Sequence, residues 1–139
     1  MTITLEDDAR QFIARFEEVS GVSGRDCLVT DERLVIVVPP DSLGEAIGAR
    51  GQHVKRFEKA VGRSVRLVEG ASEPETFVAN ALAPAAVFNV TISENEDTIA
   101  YVEVASGDRG VAIGTGGERI EDARALANRH FGIDDVQLV

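Results

Sequence analysis

The sequence predicts an α+β protein built from two copies of one small unit, and each copy runs in the order α-β-β-α-α-β. A glycine-containing octapeptide occurs twice, at 44–51 and 110–117, and five of its eight positions are identical. Apolar residues recur at helical spacing in some segments, whereas β-branched runs bounded by turn residues occupy others. Because the repeat spans more than one element, it indicates duplication of a whole folded unit.

The first copy is assigned to residues 1–70 and begins with an amphipathic helix at about 5–19. Thr4 and Asp7 resemble a capping pair at the start of this helix. Two prolines, Pro39 and Pro40, stop the second strand because proline cannot donate to the ladder of a sheet. The elements after the first helix are predicted as strands at 27–30 and 34–38, a short helix at 43–47, a helix at about 52–61 and a strand at 65–68.

The second copy is assigned to residues 71–139. Ser72 is expected to cap its first helix, and Pro74 suits the first helical turn. Before Gly132 this copy has four residues more than its counterpart, which is about one extra helical turn. Its elements are predicted as a helix from Pro74 to about Leu82, strands at about 86–92 and 98–104, a short helix near 108–113, a helix at about 118–130 and a strand at 134–139.

Charge is distributed unevenly along a chain whose net charge is −10. Taken as a sum, this acidity argues against a nucleic-acid partner, since phosphate contacts need cations. Residues 1–70 carry 10 Lys and Arg against 12 Asp and Glu, whereas residues 71–139 carry 4 against 12. Within 50–66 there are six basic residues, and Glu58 is the single acid. This local cluster is typical of an anion-binding patch, and a solvated helix face is the alternative.

Several classes of function are excluded by composition. No apolar run approaches the roughly 18 residues that span a bilayer, and the acidic N-terminus is unlike a secretory signal. Cys27 is the only cysteine, so there is neither an internal disulfide nor a cysteine-based metal site. No catalytic triad or metal cluster can be argued. We therefore expect a cytoplasmic protein with no membrane partner, catalytic residue, metal or cofactor.

The repeated motif is Ile-Gly-x-x-Gly-x-x-Val/Ile between two predicted helices. Two glycines three residues apart allow a tight turn and a close backbone approach. The following helix then points its N-terminal amides at whatever lies over the turn, which suits a phosphate. The flanking residues, Ile47 with Val54 and Ile113 with Ile120, are expected to form an apolar floor. A phosphate clamp beside an apolar floor suits an unpaired strand whose bases lie flat.

This pattern resembles the type II K-homology (KH) domain, and the pair resembles the family of archaeal NusA-like transcription elongation and termination factors. The resemblance covers essentially the whole chain. It implies two tandem type II KH domains, each with helices packed on a three-stranded mixed sheet. It also implies binding of single-stranded RNA in transcription termination or antitermination. RNA polymerase is a further expected partner, although larger bacterial members contact it through an N-terminal domain for which this chain has no room.

The family's clamp falls on Gly48–Gly51 and on Gly114–Gly117. Arg50 keeps the cation that family loops place between the glycines, whereas Thr115-Gly116, followed by Glu118, departs from that pattern. For His53, base stacking, a phosphate contact and an exposed bystander all remain open. The expected RNA-binding residues are Ile47, Gly48, Ala49, Arg50, Gly51, His53, Val54, Lys55, Ile113, Gly114, Thr115, Gly116, Gly117 and Ile120.

Two other functions fit the same motif. A ribosome-assembly or RNA-chaperone factor would use the same clamps on another RNA. A protein-interaction module would have KH folds that no longer bind RNA, and the acidity of residues 71–139 favours this for the second copy. The basic cluster at 50–66 opposes it for the first copy.

Overall fold

The structure is a computed structural model that describes residues 5–139. The described chain divides into two compact units at the junction of Gly70 and Ala71. Each unit has the element order α-β-β-α-α-β and contains its own three-stranded sheet. The α+β class and the predicted order of elements are therefore confirmed.

The first unit has a mixed sheet in the order β1-β2-β3, in which β1 pairs antiparallel and β3 pairs parallel with β2. Thr4 lies outside the described residues, and Glu6 holds the N-cap position of the first helix without a side-chain hydrogen bond. The elements are α1 (Asp7–Ser20), β1 (Asp26–Val29), β2 (Arg33–Val38), α2 (Leu43–Ile47), α3 (Gln52–Val61) and β3 (Ser64–Glu69).

The second unit repeats this arrangement, with β4 antiparallel and β6 parallel to the central strand β5. Pro74 begins its first helix as predicted, but the expected cap at Ser72 is wrong, because Glu73 holds the N-cap position. The elements are α4 (Pro74–Ala81), β4 (Val87–Glu94), β5 (Thr98–Val104), α5 (Arg109–Ile113), α6 (Glu118–Phe131) and β6 (Asp135–Leu138). The 14 residues of α6 against the 10 of α3 confirm the extra helical turn.

Aromatic side chains on helices anchor both cores. In the first unit, Phe16 of α1 and Phe57 of α3 are fully buried and meet edge to face, with ring centroids 5.2 Å apart. In the second unit, Phe77 of α4 packs against His130 and Phe131 at the end of α6, at centroid distances of 5.0 and 5.3 Å. Truncating such a buried ring to alanine costs about 3–5 kcal/mol. These contacts pack α1 against α3 and α4 against α6, and so help to position the turns that precede α3 and α6.

Candidate nucleic-acid interface

A glycine turn joins the short helix to the following helix in each unit. The first glycines have nearly the same backbone angles, φ 79° and ψ 168° at Gly48 and φ 80° and ψ 173° at Gly114. A Cβ atom at Gly48 would lie 2.6 Å from the ring of His53, and one at Gly114 would lie 2.8 Å from the Cβ of Arg119. Both the positive φ and the close approach therefore require glycine at these two positions.

One turn of 3₁₀ helix follows each first glycine, over Ala49–Gly51 and Thr115–Gly117. Glycine holds the N-cap position of both α3 and α6, so neither helix has a capping side chain at its start. The amides of a helix N-terminus carry a partial positive charge and readily bind anions. The two turns therefore offer the backbone geometry of a phosphate site, as the motif predicts.

The third residue of the turn distinguishes the two units. Arg50 has φ 58° and ψ 24°, and its counterpart Gly116 has φ 60° and ψ 18°. Both lie in the left-handed region, which glycine adopts freely and arginine does not. Arg50 and Ala49 are both exposed, so the first turn presents a cation where the second presents only backbone.

The predicted apolar floor is only partly at the surface. Ile47 and Ile113, at the ends of α2 and α5, are large apolar residues with 36% and 40% of their surface exposed. Val54 is half-buried, and Ile120 belongs mainly to the core with 6% exposed. The surface beside each turn is therefore formed chiefly by the isoleucine before the first glycine.

An open groove of about 550 Å³ lies beside the second glycine turn. Ile113, Gly117 and Ile120 were predicted as site residues and line it. Its other walls come from α5 and α6, which flank the turn in sequence, and from β6, which follows α6. The residues that the motif did not predict are Arg109, Glu121, Arg124, Gln137 and Leu138. Arg109, Glu121 and Arg124 lie on the helices that flank the turn, whereas only folding brings Gln137 and Leu138 of β6 to the same groove.

Hydrogen bonds hold Arg124 at the wall of this groove. Its Nε lies 2.9 Å from Oδ1 of Asp135 and donates to the carbonyl of Val136 at 3.2 Å, and its NH1 donates to Glu121 at 2.6 Å. The pKa of Asp135 is lowered, and the main cause is the hydrogen bond from the side chain of Gln137. The backbone amide of Val136 and the guanidinium of Arg124 lower this pKa further. Asp135 is therefore held in its charged form and keeps Arg124 in place.

In the first unit, α3 is joined to β3 by a hydrogen bond in which the helix residue is the acceptor and not the donor. Glu58 occupies the position in α3 that Arg124 occupies in α6, counted from the glycine turn. Its Oε2 accepts a hydrogen bond of 2.8 Å from the amide of Val65 in β3. The same helix-to-strand tie is thus made by a carboxylate in one unit and by a guanidinium in the other.

The basic cluster of the first unit is smaller at the surface than in the sequence. Arg63 donates to the carbonyl of Thr30 at 2.9 Å and lies 5.0 Å above the ring of Phe12, and Arg66 is partly buried. The cations that remain exposed are Arg50, Lys55, Arg56 and Lys59. We use the term α3 cation patch for these four residues.

Charge is reversed around the second turn. Lys55 lies beside Gly51, since a Cβ there would be 3.8 Å from its Cε. The corresponding residue in the second unit is Glu121, and Glu118 begins its helix. The exposed charges beside the first turn are therefore cations, whereas those beside the second turn are carboxylates, with Arg119 half-buried between them.

Other chemistry finds no support in the part of the chain that the structure describes. Across residues 5–139, no group of three or more His, Cys, Asp or Glu side chains is placed to hold a metal ion. No helix in that range is both long and apolar enough to cross a membrane. Cys27 is buried, and burial above all, with the nearby charge of Asp26, raises the pKa of its thiol to about 12.

Known proteins resemble this chain over its whole length. It is 56% identical over 138 residues to the "Probable transcription termination protein NusA" of Halobacterium salinarum, covering 99% of both chains. A protein of the same name from Halococcus morrhuae is 53% identical over 138 residues, again covering 99% of both. The chain belongs to the NusA family. The family resemblance predicted from the glycine motifs is thereby confirmed.

The second unit matches a specific part of that family. The family described as the NusA-like second KH domain matches residues 74–138, which include the turn Gly114–Gly117. The crystal structure of APE1850 superposes with a TM-score of 0.85 at 28% identity, covering 97% of this chain and 100% of that one. The second unit is therefore a KH domain, with the three-stranded mixed sheet expected of it.

Proposed function

We propose that this chain is a single-stranded RNA-binding protein of transcription termination, built from two tandem type II KH domains at residues 1–70 and 71–139. The second domain matches the family directly. Support for the first is its identical element order, its sheet of the same topology and a glycine turn with the same backbone angles. With the exception of His53, the RNA-binding residues predicted from the motif remain RNA contacts in this proposal.

One observation carries the proposal. In each unit, an uncapped helix N-terminus over a glycine turn lies next to an exposed isoleucine, Ile47 or Ile113. Backbone amides suit the phosphates of a strand, and an apolar surface suits the face of an unpaired base. A duplex hides its base faces, so this combination favours a single strand.

The two units contribute unequally in this proposal. The α3 cation patch supplies most of the electrostatic attraction, because log affinity depends on the number of phosphate charges that are neutralised. The second unit, flanked by Glu118 and Glu121, binds through its turn amides, Ile113 and the groove that Arg109 and Arg124 border. The second unit therefore contributes short-range contacts more than charge.

In the proposed role, the chain binds RNA in the cytoplasm during transcription and catalyses no reaction. RNA polymerase is its proposed protein partner. The alternative is ribosome assembly with the same clamps. Purification of the tagged chain from its own cells separates them: co-purification of polymerase subunits and nascent transcripts supports the proposal. Ribosomal subunits in their place would support the alternative.

A titration of the full-length chain with labelled single-stranded RNA tests the binding site itself. The variant Ala49→Asp/Arg50→Asp places two carboxylates at the first turn. Its fold should survive, since both positions are exposed and aspartate tolerates positive φ better than most residues. The matched control is Ala14→Asp/Arg15→Asp, because these residues are also an exposed Ala-Arg pair, on α1.

We expect the turn variant to lose at least about tenfold in affinity, which is about 1.4 kcal/mol, while the α1 variant binds like wild type. Both change the net charge equally, so a general electrostatic effect would weaken both alike. Equal affinity of the turn variant and the wild type would show that the first glycine turn is not the RNA site.

A further inference from the structure

The second residue of the helix after each turn reaches back to the short helix before it. In the first unit, Nδ1 of His53 donates a hydrogen bond to the backbone carbonyl of Glu45, at 2.9 Å. In the second unit, NH1 of Arg119 donates to the backbone carbonyl of Val111. His53 and Arg119 are equivalent positions, and so are the two carbonyls. Different side chains thus make the same connection in both units.

Each of these side chains passes close to the first glycine of its turn. A Cβ at Gly48 would be 2.6 Å from Cγ and 2.7 Å from Nδ1 of the His53 ring. At Gly114 the nearest atom would be the Cβ of Arg119, at 2.8 Å. The first glycine is therefore needed not only for its backbone angles but also for the space that this side chain takes.

The accepting carbonyls are ones that a short helix leaves open. Helices α2 and α5 have five residues each, and the last four carbonyls of a helix lack an intrahelical donor. Glu45 and Val111 lie within that last turn. The hydrogen bond closes a ring from the start of the long helix, across the glycine, to the short helix, and so limits the angle between the two helices.

We propose that His53 and Arg119 are positioning residues, which hold the glycine turn and the preceding isoleucine in the geometry that binds RNA without touching RNA themselves. The inference rests on the proposed function. For His53 it replaces base stacking, because the ring is packed against Gly48 and its Nδ1 is already bonded. For Arg119, the inference means that the cation nearest the second turn binds a backbone carbonyl of the protein and not a phosphate of the RNA.

The positioning role requires a hydrogen-bond donor that reaches past the first glycine to the carbonyl of the short helix, and both histidine and arginine supply one. The variant His53→Arg, which copies the second unit, should therefore keep RNA affinity within about twofold of the wild type, a few tenths of a kcal/mol. His53→Phe keeps a ring over Gly48 but lacks the donor, so it isolates the hydrogen bond. We expect it to lose about fivefold in affinity, which corresponds to about 1 kcal/mol, the typical contribution of one hydrogen bond. His53→Ala removes both ring and donor.

The salt dependence of binding separates positioning from phosphate contact. Each cation that contacts a phosphate changes the slope of log affinity against log salt by about one. A positioning residue leaves that slope unchanged, so His53→Arg should show the slope of the wild type. A slope steeper by about one would mean that residue 53 contacts phosphate and would overturn the inference.

All variants are titrated as full-length chains beside Ala49→Asp/Arg50→Asp, with melting curves for each. Wild-type affinity in His53→Phe, with the turn variant inactive, would overturn the positioning role and leave the RNA site intact. Loss of affinity in His53→Arg as well as in His53→Phe would also overturn it. If the turn variant binds as the wild type does, the proposed site fails, and the positioning role fails with it. A melting temperature of His53→Phe near the wild-type value shows that lost binding is not lost folding.

Discussion

Arg50 and Gly116 occupy the same position in the two glycine turns and share one left-handed backbone conformation, with φ of 58° and 60°. An L-residue in this conformation is destabilised by roughly 1–2 kcal/mol, whereas glycine is not. The first turn thus has an arginine at a position where the second turn has a glycine in the same conformation. Because the arginine is exposed, we infer that its cation and not its packing accounts for its presence.

Replacing Arg50 by glycine should separate stability from binding. The free energy of unfolding is expected to rise by up to about 1 kcal/mol, since relief of the strain exceeds the added flexibility of glycine in the unfolded chain. RNA affinity is expected to fall, because a cation beside the turn is lost. Thermal melting and RNA titration of the same sample measure both effects.

The reverse substitution, Gly116→Arg, is the matched control for Arg50→Gly. It should lower the melting temperature through the same strain and, at low salt, raise the RNA affinity. A stability loss in Arg50→Gly would mean instead that the arginine side chain supports the fold.

Exposed isoleucines beside the turns should matter more for RNA than for stability. Ile47→Ala and Ile113→Ala remove side chains that are 36% and 40% exposed. Truncating a fully buried isoleucine lowers the free energy of unfolding by about 2–5 kcal/mol, and each of these variants should lose much less. Their RNA affinity should fall at low and at molar salt alike, since contact with a base face is short-ranged.

The comparison variant for the isoleucines is Phe88→Ala. Phe88 is 68% exposed and lies on β4, at the opposite edge of the sheet from β6, which lines the groove. It should leave RNA affinity unchanged. A loss as large as that of Ile113→Ala would indicate general surface hydrophobicity in place of a base platform.

High salt should stabilise this chain without abolishing RNA binding. Acids outnumber bases by 24 to 14, and self-repulsion at a net charge of −10 loosens the compact state at low salt. At molar salt the Debye length falls to about 3 Å and screens this repulsion. We expect the melting temperature to rise between about 0.1 M and 2 M potassium chloride, and RNA affinity to persist through the turn amides and isoleucines. The same melting temperature at both salt concentrations, together with loss of RNA binding at the higher one, would contradict this prediction.

The thiol of Cys27 should make stability fall at alkaline pH. Burial raises its pKa from the ordinary value of 9.0 to about 12, so the folded state holds the proton more tightly than the unfolded state. This contribution is fully present below about pH 9 and is lost as the pH rises toward 12. The difference in unfolding free energy between the wild type and Cys27→Ala isolates it from the other groups that titrate there. A difference that stays constant from pH 8 to 12 would contradict the shifted pKa.

Local patterns in the sequence predicted most of the fold. The short helices at Leu43–Ile47 and Arg109–Ile113 and the long helices after the glycines lie within about one residue of their predicted places. Helical and strand periodicities act over neighbouring residues, so they can be read without the fold. The cap expected at Ser72 is wrong because Pro74 takes the first helical position, which puts Glu73, held in extended backbone before the proline, at the N-cap.

The sequence by itself determined the duplication, the element order, the family and the glycine turns, because each is read from short local patterns or from their repetition. Only the tertiary structure decided what surrounds those turns. It brought Arg109, Arg124 and Leu138 to one groove, withdrew Arg63 into contacts with Thr30 and Phe12, and bonded His53 to a backbone carbonyl. The groove and the Arg63 contacts depend on which elements pack together across long stretches of chain, whereas the His53 bond depends on how the turn brings α3 back to α2. Side-chain reach and burial then select the partner of each group, and no local spacing encodes that choice.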